Sequence, residues 1–91
     1  PSDATVLKAG DLVKVDICAS YKGYCADMAR CFVVGKPTAA QEKLVRVAQQ
    51  ALDKGIEQAR AGNRLTDISA AIQAEVERHG YGVVRDFAGH G

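Results

Sequence analysis

Asp16, Asp27 and the glycine-flanked His90 are the residues of this chain whose types suit a hard divalent cation. Carboxylate oxygens and a neutral imidazole bind such ions, and a pair of ions about 3.5 to 4 Å apart activates water for hydrolysis. The two aspartates stand in β-like runs joined by Lys22-Gly23. If the chain turns tightly there, facing residues have numbers that sum to 45, with Asp16 opposite Ala29 and Asp27 opposite Cys18. The separation of 11 is odd, so both carboxylates fall on one face, as diagonal neighbours with Cα atoms about 7 Å apart. A three-residue loop with a bulge would weaken this arithmetic. Two carboxylates so close, beside Cys18, Ala29 and Cys31, repel one another and suffer desolvation if the face is buried. Spacing alone leaves two answers open: divalent metal ions, or exposed side chains of which one pairs with Lys14 or Arg30.

The other reactive types are weaker signals. His90 lies between Gly89 and Gly91 and reads either as a loop residue or as a ligand that small neighbours let a group approach. His79 falls near a helix C-terminus and fits a dipole or surface role. Cys18 reads as a small buried thiol, with a soft ligand or a reactive thiol facing Asp27 as the alternatives. Cys18, Cys25 and Cys31 are odd in number and lack Cys-x-x-Cys spacing, which points away from a disulfide framework or zinc knuckle and toward a reducing cytoplasm.

The elements that must position these groups follow from periodicity. Residues 12–19 alternate and are rich in β-formers, Lys22-Gly23 turns the chain, and residues 24–34 resume a β-like run that Gly35-Lys36-Pro37 ends. Thr38 and Gln41 have capping-box spacing, and Leu44, Ala48, Ala51, Leu52, Gly55, Ile56 and Ala59 recur at helical period, predicting a helix to about residue 60. Gly62-Asn63 stops it. Thr66 with Asp67 opens a second helix, with Ile68, Ala71, Ile72 and Val76 as its stripe and Gly80 as its end. Val83-Val84 suggests a further strand over residues 81–87. The fold class is therefore α+β, one domain over residues 1–91 in which a hairpin and a C-terminal strand pack on two helices.

Composition narrows the function. The 91 residues carry 12 Lys plus Arg against 11 Asp plus Glu, a net charge of +1, and 47% are apolar. That balance describes a compact globular domain, and scattered basic residues give no field to steer nucleic acid. The longest run without a charged residue is the seven residues 68–74, against the roughly 20 that a membrane-spanning helix needs. No N-terminal apolar signal is present.

At this point the sequence resembles the type I methionine aminopeptidases of the pita-bread metallopeptidase fold. The resemblance runs from Leu7 to Gly91 and is carried by Leu7-Lys8-Ala9-Gly10-Asp11, Val15-Asp16-Ile17, Gly23-Tyr24-Cys25-Ala26-Asp27, Phe32-Val33-Val34-Gly35-Lys36-Pro37, the helix opening at residues 67–73, and Val83 to Gly91. It implies a partial pita-bread fold and metal-dependent removal of an N-terminal methionine from peptides and nascent chains. It further implies two divalent ions (cobalt, manganese, iron or zinc), with Asp16 chelating one, Asp27 bridging both and His90 holding the other. In that family two glutamate ligands lie beyond the Gly-His-Gly segment, and a substrate-contacting histidine lies before the hairpin. By the resemblance this chain is the middle portion of a catalytic domain, expected to be inactive alone and to self-associate, or to pair with the remaining segments, through Val13, Val15 and Ile17 and through Val83, Val84 and Phe87. The alternatives are a fragment of a related Xaa-Pro peptidase and a noncatalytic binding module. The adjacent Asp16 and Asp27 favour the enzyme, since a binding module has no need of them.

Overall fold

The computed structural model describes residues 2–90. They form two compact units, one ending at Glu42 and the other running Lys43–His90. The first holds strands β1 (Leu12–Tyr21) and β2 (Tyr24–Val33), an antiparallel pair with Asp16 opposite Ala29 and Cys18 opposite Asp27. The register is the one that the tight turn predicts. Lys22 and Gly23 both take positive φ, 49° and 84°, the left-handed pair whose twist matches the strands it joins. Hydrogen bonds carry the pairing past the strand ends: Val34 N–H donates to the Asp11 carbonyl (2.9 Å) and Gly10 N–H to the Val34 carbonyl (2.8 Å).

Alternation along the ladder gives the hairpin two unlike faces. One carries Lys14, Asp16, Cys18, Cys25, Asp27 and Cys31. The other carries Val15, Ile17, Ala26, Met28 and Phe32, which line a shallow apolar groove with Arg30 among them. This second face is open: Ile17, Met28 and Phe32 are all more than half exposed.

Helix α1 (Ala39–Gln58) begins with the expected capping box. Gln41 N–H donates to Thr38 Oγ1 (3.1 Å) while Thr38 N–H donates to Gln41 Oε1 (3.0 Å), so two donors that the first turn leaves without helical partners are satisfied. Gln41 Nε2 also donates to the Gly10 carbonyl (2.8 Å), tying the helix start to the turn before β1. At the other end Asn63 Nδ2 donates to the Gln58 carbonyl (2.9 Å).

In the second unit α1 buries Val47, Ala51 and Gly55, residues four apart and therefore on one face. Gly55 sits against Ile72 and Ile68 of α2 (Leu65–Arg78). Helix α2 starts one residue ahead of the Thr66-Asp67 opening expected from sequence; the Asp67 carboxylate accepts the Arg64 N–H at 2.7 Å. It ends in a Schellman turn in which Gly80 has φ 83°, Tyr81 N–H donates to the Val76 carbonyl and Gly80 N–H to that of Glu77. Glu75 is buried, and its carboxylate takes Arg78 Nη2 at 2.7 Å and Nε at 3.3 Å. That pairing first, helped by the positive charges of Arg78, His79 and Lys54 and opposed by desolvation, holds the Glu75 carboxyl below its ordinary 4.5.

The strand expected over residues 81–87 is not formed among the described residues, where the sheet contains β1 and β2 alone. A strand needs a neighbour to take its backbone donors and acceptors, so the β-propensity of Val83-Val84 finds no ladder here. Val83 and Phe87 instead line a shallow cavity with Ser69 and Ile72 of α2. Among the described residues no helix is long and apolar enough to cross a membrane.

Candidate metal centre

The hairpin brings Asp16, Cys18 and Asp27 together. One donor atom from each, two carboxylate oxygens and Cys18 Sγ, lie within 4.8 Å of one another, and all three residues are exposed. Register explains the convergence: Cys18 faces Asp27 across the ladder and follows Asp16 by two residues on the same side of β1. The Cys18 thiol donates a hydrogen bond to Asp27. That bond first, then partial desolvation and the negative charges of Asp27 and Asp16, pushes its pKa above the ordinary 9.0. Cys18 is thus exposed rather than the small buried thiol expected, because the face that carries it is open.

Lys14 Nζ stands 4.0 Å from Asp16 Oδ2, with both side chains more than half exposed, a geometry that contributes little in water. Arg30 lies opposite Val15 and so projects from the other face. The donor set fits a divalent ion. Metal–oxygen bonds of about 2.0 to 2.2 Å and metal–sulfur bonds of about 2.3 Å place two donors of one ion at most about 4.5 Å apart. The 4.8 Å within which these three exposed donors lie is close to that limit.

His90 lies exposed in irregular backbone at the end of the second unit, and Gly91 falls outside the described residues. His79 caps α2, with Nδ1 2.9 Å from the Glu75 carbonyl. Since a carbonyl only accepts, that nitrogen carries the hydrogen, and the role is the helix-end one expected. Cys25, opposite Ser20, shares the aspartate face as well. The same parity that placed Asp27 places it.

Residues 1–91 match metallopeptidase family M24 along their whole length. The methionine aminopeptidase of Clostridium acetobutylicum is 50% identical over 91 residues, which are all of this chain and 36% of that protein. Among solved structures, the methionine aminopeptidase of Thermotoga maritima superposes with a TM-score of 0.90 at 41% identity, over 99% of this chain and 36% of that one. The prolidase of Pyrococcus furiosus gives 0.76 at 29% identity, over 84% of this chain and 23% of its own. A hairpin with two carboxylates on one face, followed by two helices, is therefore a portion of a pita-bread metallopeptidase domain. The chain belongs to metallopeptidase family M24 and spans about a third of the length of the curated methionine aminopeptidases it matches.

Proposed function

We propose that this chain serves the removal of N-terminal methionine from peptides and nascent proteins, with Asp16, Asp27 and His90 as ligands to two divalent metal ions. The observation that carries the reading is the convergence of the Asp16 and Asp27 carboxylates on one exposed hairpin face. When bound, such ions polarise a carbonyl and make water a nucleophile at neutral pH. The chain's own part is to hold that charge in place. A two-residue turn with fixed register keeps both carboxylates on one side, and their repulsion makes a dication favourable there. The hairpin ladder supplies the rigidity, so the donors need rotate only their own side chains.

Methionine rather than an Xaa-Pro dipeptide is favoured as substrate because identity is 41–50% to the methionine aminopeptidases of Thermotoga and Clostridium, and 29% to the prolidase. Nascent-chain substrates place the work in the cytoplasm. The near-neutral charge of +1 argues against nucleic acid as a partner.

Isothermal titration of the purified protein with cobalt or manganese tests the reading. Asp27→Asn and Asp16→Asn are each expected to weaken binding by about tenfold to a hundredfold or more, since loss of a direct ligand costs at least what loss of an outer partner does. Unchanged affinity in both variants would refute the assignment.

A further inference from the structure

The face that carries Asp16 and Asp27 also carries sulfur. Cys18 lies directly opposite Asp27, on the side of β1 that Asp16 occupies, and its Sγ is one of the three donors within 4.8 Å of one another. Metal–oxygen bonds of about 2.0 to 2.2 Å and a metal–sulfur bond of about 2.3 Å allow donors of one ion to stand at most about 4.5 Å apart, close to the separation within which these three exposed residues already hold their donor atoms.

We propose that Cys18 supplies a thiolate to the cation held by Asp16 and Asp27, making a mixed carboxylate–thiolate site that selects zinc, cobalt or cadmium over manganese and magnesium. The proposal rests on the metal reading above. On binding, the Cys18 S–H bond breaks, its proton passes to solvent, and the sulfur electron pair forms the bond to the metal, with no change of oxidation state. A thiolate adds both a negative charge and a polarisable donor, and the second property shifts preference toward softer ions. Cys25 and Cys31 share the face, opposite Ser20 and Lys14, but stand outside the donor set among the described residues, so they serve as internal controls.

Cobalt(II) is titrated into the purified protein, into Cys18→Ser and into the Cys25→Ser/Cys31→Ser double variant, with thiolate-to-cobalt charge transfer read in the near ultraviolet. X-ray absorption on the zinc-loaded protein reads the sulfur shell at about 2.3 Å. Both signals are expected in the protein and in the double variant. Both should vanish in Cys18→Ser, whose preference for cadmium over manganese should fall about tenfold to a hundredfold. Saturable binding with no sulfur in the shell of the unaltered protein would overturn this proposal and leave the metal reading standing. Absence of saturable binding would overturn both.

Discussion

Gly55→Ala tests the packing that seats α1 on α2. In an exposed helix interior the change would stabilise by about 0.8 to 1 kcal/mol, because alanine is the better helix former. Gly55 is buried, however, and a Cβ built on it would lie 2.8 Å from both Cγ1 and Cδ1 of Ile72 and 3.5 Å from Cγ2 of Ile68. Carbon atoms pack at about 3.5 to 4.0 Å, so the overlap with Ile72 is roughly 0.7 to 1.2 Å deep. Rotation about χ2 swings Cδ1 away. Cγ1 moves only with χ1, which is stiff in a β-branched side chain on a helix, or with a shift of α2 itself. Overpacking of this kind costs about 1 to 3 kcal/mol, which exceeds the gain in propensity. The net expectation is a loss of about 1 kcal/mol, or roughly 4 to 8 °C in Tm for a chain of this length. Thermal unfolding of Gly55→Ala, Ile72→Ala and the double variant reads it. Ile72→Ala deletes both offending atoms, so on that background Gly55→Ala should turn stabilising, with a coupling of about 1 to 2 kcal/mol. A Gly55→Ala protein more stable than the parent, or additive effects in the double variant, would refute the reasoning.

Three further outcomes follow from particular contacts. Glu75 has a lowered carboxyl pKa in the folded chain, so the unfolded chain takes up the proton more readily; the stability it contributes is present above its ordinary 4.5 and lost as pH falls below. Unfolding midpoints measured across that range should show an acid limb that Glu75→Gln flattens, and a limb of unchanged steepness would count against the pairing with Arg78. Lys22 holds a φ of 49°, which costs a residue with a Cβ, so Lys22→Asn should stabilise the hairpin by about 0.5 to 1 kcal/mol in urea unfolding, and a loss would mean that the turn is not the left-handed pair. The open apolar face of Ile17, Met28 and Phe32, on a sheet of two strands among the described residues, should drive pairing with a second copy of this chain; sedimentation equilibrium that finds a monomer, with a midpoint independent of concentration, would exclude this.

What the sequence disclosed, and what it did not, divides along the range of the interactions. The Thr38–Gln41 box and the Lys22-Gly23 turn involve residues at most three apart, so their chemistry is complete within the segment that encodes it. The α2 start was misplaced by one residue because its cap is Arg64, whose side chain has no acceptor to announce it; only the Asp67 carboxylate, reaching back to the Arg64 N–H, marks the position. The period of α1 is visible in the sequence, but its phase only in part: Ala51 and Gly55 of the apolar stripe are buried. Leu44 and Ile56 belong to the apolar stripe and are exposed, while Val47, which the stripe left out, is buried, since the buried side is chosen by what packs on it. Val83-Val84 failed as a strand for the same reason, its propensity needing a neighbour from elsewhere in the chain.

The candidate metal centre escapes this division. Asp16 and Asp27 come from different strands, yet a two-residue turn makes their facing a matter of parity, and parity can be counted. Parity says which side chains share a face and nothing about whether that face is dry, which is why Cys18 was expected inside and is found outside. A metal centre requires convergence of donors before it requires burial. The part of the site that alternation discloses is therefore the part on which its chemistry depends.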